Sequence, residues 1–353
     1  MFETKTNAEI HKRQEEDDMK QTNVPVNRTP MQGRRALLTG TVCGALLGMA
    51  PFGAGAQEYP ARDIHFICAF PAGSGADVLV RHFAEKLRPI AKRSVIVENR
   101  AGAGGNIATQ AAAQSKPDGY TIYVHAGSAI ALNRHLFKAP PVDVTKAIQI
   151  AATINRQPFM LVVDAKSPYK SVADLTSAMK KKGSKATYAS AAPTGTMMGE
   201  IYKNVTGVQA VEVNYRTAPD SLNELLSGKL DYGMHDPVFS LAQQRENRLR
   251  ILGVSTSTRL KAIPEYPTMT EQKIPMNLTG WWAAMVPTGT PRPVIDKINQ
   301  WFTFMVQSDE STKFLNSFGG DTFVNTPEAG QALLVKSVKD WGEYVKLAKI
   351  QPQ

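Results

Sequence analysis

The stretch Ala69–Asp77, AFPAGSGAD, carries residue types suited to holding an anion. Gly73 and Gly75 lack β-carbons, so backbone amides can approach a bound group closely, and a helix opening here adds a partial positive charge. A carboxylate is the expected occupant. Asp77 reads first as the N-cap of that helix and second as a contact to a donor on the ligand. Its charge need not expel a carboxylate if it is committed to the cap or a water intervenes. A second loop, ENRAGAGGNIA (98–108), offers Gly102, Gly104 and Gly105 for the turn, with Asn106 placed to cap the next helix. It lacks the GxGxxG register and no Lys-Ser/Thr follows, which argues against a nucleotide phosphate. In a third, HAGSA (125–129), Ser128 ends a strand and either faces the same cleft or caps the chain's next turn. No GxSxG, HExxH or paired-cysteine pattern accompanies the six histidines, so no catalytic residue, metal set or cofactor is assigned.

These loops need a scaffold of strands feeding helices. IHFICAF (64–70) is apolar almost throughout, as a strand covered on both faces should be. Val80, Phe83, Ala84 and Leu87 follow at helical spacing, then SVIVEN (94–99) as strand, Ile107 to Gln114 as helix and YTIYVHA (120–126) as strand. That βαβαβ order predicts a parallel sheet. A second series runs FMLVVDA (159–165), a helix capped by Ser171 with Asp174 three residues on, TYAS (187–190), a helix from about Met197, QAVEVNY (209–215), a helix around Leu222 to Leu226, KLDYGM (229–234) and RILGVS (250–255). WWAAMV (281–286) then precedes a helix opened by Pro291 and Pro293, and a last helix spans about Glu328 to Ala348. Two α/β units on one chain predict a cleft between them, since ligands collect at the carboxyl ends of parallel strands and at domain interfaces.

Arg34 and Arg35 precede an apolar run from Ala36 to Met49, with Ala54 and Ala56 ahead of Gln57, which reads as an export signal cleaved near Gln57. The run is too short to span a bilayer. The paired arginines fit twin-arginine export and the general secretory route alike, and Met31 is an alternative start. Val42 makes Cys43 a poor lipoprotein site. Cleavage lowers the charge from +10 to +9 and leaves Cys68 as the one cysteine, so no internal disulfide can form. The positive balance favours anionic partners. Its longest run is only Lys180 to Lys182, with no aromatic-rich basic stripe, which excludes a nucleic-acid surface.

VENRAGAGGNIA (97–108), PDGYTIYV (117–124), the Phe70 to Asp77 loop, YRTAPDSLNELLSGKLD (215–231), STSTRLKAIPEYPTM (255–269) and PTGTPRPVIDKIN (287–299) together resemble the Bug-type, or TctC-type, periplasmic solute receptors of tripartite tricarboxylate transporters. The resemblance covers essentially 57–350 in order. It implies an α/β clamshell of the type II periplasmic-binding-protein class, with an extension and signal over 1–56, a first lobe over 57–157, a second over 158–278 and a return to the first over 279–353. It further implies no enzymatic activity and no cofactor, a small organic carboxylate as ligand, integral-membrane permease subunits as partners, a periplasmic location and a monomer. A receptor that loads a sensor kinase is the alternative; an exported enzyme fits less well.

Carried over by position, Phe70, Pro71, Gly73, Ser74, Gly75 and Asp77 match the family's first carboxylate loop and Ser128 a cleft hydroxyl. Gly195 and Thr196 match an opposing glycine-hydroxyl loop, and Tyr215, His235 and Asp236 complete the second lobe's share. The chain departs from the family at Ser74, Ala76, Asn214, Thr217, His235 and Pro237, which places the ligand's far end in question. His235 offers a readily charged imidazole for a second acid group, or an ordinary packed histidine. Of Trp281 and Trp282, strand alternation sends only one toward the cleft.

Overall fold

A computed structural model describes residues 59–352, so the export signal, the alternative start at Met31 and Cys43 lie outside the described residues. Strands β1 (Ile64–Cys68), β2 (Val95–Asn99) and β3 (Thr121–Ala126) pair in parallel in the order β2-β1-β3. Helices α1 (Gly75–Ala91) and α2 (Asn106–Ala113) connect them, as the βαβαβ pattern predicted. After β3 the chain turns directly into α3 (Gly127–Leu136), passes the short α4 (Val144–Ala147) and forms β4 (Ile148–Gln157). It leaves this sheet for β5 (Met160–Asp164), α5 (Val172–Lys182), β6 (Thr187–Ser190), α6 (Pro193–Thr206), β7 (Val211–Asn214), α7 (Leu222–Leu226), β8 (Tyr232–His235), α8 (Pro237–Arg245) and β9 (Leu249–Val254). It then returns as β10 (Gly280–Pro287), α9 (Arg292–Val306), α10 (Asp309–Ser317), β11 (Asp321–Thr322) and α11 (Pro327–Leu347). One sheet runs β11-β4-β10-β3-β1-β2 and the other β7-β6-β8-β5-β9.

Both sheets are mixed, where the apolar runs predicted parallel ones. β10 lies antiparallel to β3 and β4, and β5 lies antiparallel to β8 and β9. β10 enters from the far sheet and β5 from the near one, so neither arrives through the helical crossover that parallel pairing requires. One boundary also shifts. α6 begins at Pro193, not near Met197, because proline suits the first helical position, where no amide is needed. The capping box at Ser171 and Asp174 is present as read: the Ser171 hydroxyl accepts from Asp174 N at 3.1 Å and Asp174 Oδ2 accepts from Ser171 N at 3.0 Å.

The helical stripe of α1 packs Val80, Phe83, Ala84 and Leu87 against Ile64, Phe66, Val95 and Phe302, all fully buried. Each large side chain there contributes about 2 kcal/mol through removal of apolar surface from water. Cys68 is buried and free, and no helix among the described residues is long and apolar enough to cross a membrane.

The chain passes between the sheets through Pro158 and again through the segment 255–279. Ser255, fully buried, ties the two passages together. Its hydroxyl accepts from Phe159 N at 2.8 Å and donates to Leu278 O at 2.6 Å; its own amide donates to Phe159 O and its carbonyl accepts from Leu278 N, each at 2.9 Å. Replacing Ser255 by Ala strands the buried Phe159 amide and Leu278 carbonyl without their hydroxyl partner, an expected loss of about 2 kcal/mol in urea unfolding; a loss below a few tenths contradicts this reading.

Candidate functional site

The parallel strands of each sheet, β2-β1-β3 and β7-β6-β8, bring the loops of interest to their carboxyl ends. The two sets of ends meet. A β-carbon on Gly75, at the start of α1, would lie 2.7 Å from Val238 Cγ1 at the start of α8, so only a glycine permits this approach. On the other side α3 packs on α6. The first two loops, the start of α3 and the openings of α6 and α8 therefore surround one site.

In the first loop Ser74, not Asp77, is the N-cap: its hydroxyl accepts from Asp77 N at 3.2 Å and donates to Pro71 O at 2.8 Å. The short serine side chain reaches the amide of the third helical residue, and the longer aspartate reaches back. Asp77 is buried, and its Oδ2 accepts from Gly73 N and from Arg81 Nε, each at 2.8 Å. Its Oδ1 accepts from Asn99 Nδ2 at 2.8 Å, and the same amide group donates to Phe70 O at 3.0 Å. Burial alone would raise the Asp77 pKa, but the hydrogen bonds from Arg81, Asn99 and Gly73 prevail and hold it below the usual carboxylate range. Asp77 thus serves as the strut of the loop, with each oxygen already engaged.

The second loop is held from behind. Gly105 caps α2 at φ +96°, a left-handed conformation that favours glycine, and no side chain caps this helix. Asn106 is the first helical residue and not the expected cap; its Oδ1 accepts from Asn133 Nδ2 at 3.1 Å, and that amide also donates to Gly104 O at 2.9 Å. Ser128 is buried as the second residue of α3, whose N-cap is Ala126 with no side-chain cap. The first lobe therefore opens two helices, α2 and α3, with amides that no side chain covers.

One residue at this face escaped the sequence reading. His125 is fully buried at the end of β3, and neither ring nitrogen has a partner among the described residues. A β-carbon on Gly105 would lie 3.1 Å from His125 Nε2, so the imidazole sits directly under the second loop. The rings of Phe70 and Trp282 pack on it with centroids 5.1 and 5.9 Å away, and burial pushes its pKa down to about 3, leaving it neutral. The sequence signal was a single polar residue in the apolar strand TIYVHA. The tryptophans separate as alternation requires: Trp282 joins Phe70 and His125, while Trp281 donates to Ser337 Oγ at 3.0 Å, away from them.

On the second sheet Gly195 fits where a β-carbon would lie 2.5 Å from Met234 O. Thr196 Oγ1 and Ser190 Oγ both donate to Oε1 of Glu212, a half-buried residue of β7, and Asn214 Nδ2 donates to Ser190 Oγ at 3.0 Å. Tyr215 Oη donates to Glu224 Oε2 at 2.8 Å; burial first and then Glu224 push its pKa up to about 12. Of the two readings of His235, the packed histidine is the one present. It is 2 % exposed, packs edge-on to Phe239 and bonds Ser221 Oγ through Nε2 at 3.2 Å, and burial pushes its pKa down to about 3. Asp236 caps α8 by accepting from Phe239 N at 3.0 Å, and burial raises its pKa.

The profile of the family described as "Tripartite tricarboxylate transporter family receptor" matches residues 79–349. The chain belongs to this receptor family. Among its relatives, BugT of Bordetella pertussis is 28 % identical over 295 residues, 82 % of this chain and 90 % of that one. The R. palustris protein Rpa4515 with adipate superposes on the receptor with a TM-score of 0.78 at 27 % identity, covering 84 % of this chain and all of that one. The periplasmic binding protein BugD does so with a TM-score of 0.76 at 25 % identity and the same coverage. The two-lobed periplasmic-binding-protein fold expected from the resemblance is thus present.

Replacing Asp77 by Asn in the receptor removes a charge that Arg81, Asn99 and Gly73 jointly hold. The expected loss is about 2 kcal/mol at pH 7 in denaturant unfolding. Because the folded pKa of Asp77 is depressed, its contribution is present above the unfolded value of about 3.9 and fades as pH falls through the folded value. The gap between wild type and variant should therefore narrow below about pH 4; a gap constant with pH contradicts the assignment.

Proposed function

We propose that this receptor works outside the cytoplasm, closing its two lobes around a small organic carboxylate and delivering it to membrane permease subunits. The first lobe comprises 57–157 with 279–353, and the second 158–278. The observation that carries this reading is the uncapped opening of α2 and α3 beside a glycine loop braced by Asp77. Amides at helix openings without a side-chain cap favour a negative group, and here two such openings stand beside the glycine loop at the carboxyl ends of parallel strands. In the first loop Phe70, Pro71, Gly73, Ser74 and Gly75 shape the carboxylate side of the site, the Gly73 amide held by Asp77 and the Ser74 amide by Pro71 O, with Ser128 adding a hydroxyl at the start of α3. Gly195, Thr196, Tyr215, His235 and Asp236 form the opposing wall.

Closure needs no chemistry. A ligand that touches both lobes binds the closed state better than the open one and shifts the population toward it. The permease then distinguishes loaded from empty receptor by shape. The relative Rpa4515, whose structure holds adipate, supports a carboxylate as the ligand class. Binding alone suffices for this role, so the receptor is read as non-enzymatic and monomeric.

A thermal-shift panel of mono-, di- and tricarboxylates and aromatic acids tests the reading. A ligand at 100 times its dissociation constant stabilises the fold by about 2.7 kcal/mol, which raises the midpoint visibly. The same ligand should reduce the radius of gyration in small-angle scattering. A stabilising acid that leaves the scattering curve unchanged contradicts closure, and chemical turnover of the bound acid contradicts a receptor role.

A further inference from the structure

Helices α2 and α3 on the first lobe and α6 on the second all open without a side-chain cap, so the lobes differ in the side chains beside these openings. On the second lobe the hydroxyls beside the opening of α6 are already engaged by the chain itself. Ser190 and Thr196 stand at the end of β6 and in the first turns of α6, where hydroxyls are placed to donate to an anion. Both direct their protons to Glu212 Oε1. A hydroxyl has one proton, so neither retains one for a ligand carboxylate. Both bonds land on Oε1, and among the described residues no donor reaches Oε2, which is left to accept from something else. Asp236 repeats the pattern at α8, its carboxylate taking the Phe239 amide.

His235 adds no donor here. Ser221 Oγ donates its proton to Ala218 O at 2.7 Å, so the bond between Ser221 and His235 must run from His235 Nε2 to the hydroxyl. That assignment leaves His235 Nδ1 as a bare acceptor, buried and without a partner among the described residues.

We propose that Glu212 sets the specificity of the second lobe: the ligand carries its carboxylate against the first lobe and a hydrogen-bond donor, a hydroxyl or amino group, at its far end. This rests on the receptor reading and narrows its ligand class from organic acids in general to ω-hydroxy or ω-amino monocarboxylates. A dicarboxylate would set its second acid group beside a carboxylate whose hydroxyl partners have no proton to give, and like charges held close repel more strongly where water is scarce. The difference lies in repulsion of the wrong partner as much as attraction of the right one.

The test uses matched acids of four, five and six carbons, each as the plain, ω-hydroxy, ω-amino and ω-carboxy compound, titrated calorimetrically into the purified receptor. At the chain length that binds best, the hydroxy or amino acid should bind at least tenfold tighter than the diacid. Glu212→Gln removes the charge and lets its own amide donate, and the preference should shrink at least tenfold, mainly through improved diacid binding. A variant with native circular dichroism and an unchanged preference contradicts the role of Glu212. Should Glu212→Gln fail to fold, the wild-type ranking decides alone: a diacid that binds as tightly as its hydroxy and amino counterparts overturns the proposal and leaves the receptor reading standing. Silence from every acid in calorimetry, with no acid carried in the native mass spectrum, overturns the receptor reading and this proposal together.

Discussion

The buried carboxylate of Asp77 is the constraint on which the ligand face of the first lobe depends. It joins a loop amide (Gly73), a helix side chain (Arg81) and the end of the neighbouring strand (Asn99) through three hydrogen bonds of 2.8 Å. A charge taken this far from water is tolerated only where such partners surround it. That satisfaction fixes the shape of the glycine loop before any ligand arrives. A pre-shaped loop loses little conformational freedom on binding, which is how a modest set of backbone amides can hold a small anion.

The proposed site takes its direction from an acceptor on one lobe. Helix openings attract negative charge. The chain leaves α2, α3 and α6 without a side-chain cap and caps α1 with Ser74 and α8 with Asp236; what sets the second half apart is Glu212, which takes the hydroxyl protons beside α6. His125 belongs to the first half, since it is buried under Gly105 with two unpartnered nitrogens, neutral, and able to donate from one and accept at the other. A buried polar group of this kind is retained only at a cost to stability, and it lies beneath the second loop of the proposed site. The linkage between the sheets follows the same economy of parts, with Ser255 tying both passages through one side chain and its own backbone.

Much of this was legible in the order of residues where the determinants are local. IHFICAF and YTIYVHA announce their strands because most residues along them are buried, and Ser171 with Asp174 announces a capping box because the pattern spans only a single turn. The loop 69–77 could be placed but not resolved internally. Whether Ser74 or Asp77 caps α1 depends on which side chain reaches which amide, and Asn99, the partner that settles it, lies on another strand. β4 went unread because IQIAATINRQ mixes polar and apolar residues without a clean period, and the antiparallel placement of β5 and β10 depends on the route between sheets, not on composition. Glu212 was invisible for the same reason, since it meets Thr196 and Ser190 only once β6, β7 and α6 are assembled. Family resemblance supplied the wall on which Thr196 stands but not the fact that its proton is already given away.

A crystal structure of the receptor with the acid that stabilises it most would test the account most directly. The account predicts one ligand carboxylate within hydrogen-bonding distance of backbone amides in the loops 70–75 and 102–106, with the far end of the ligand donating to Glu212 on the opposite lobe. A carboxylate bound to the second lobe, with the first-lobe loops holding only water, would contradict it.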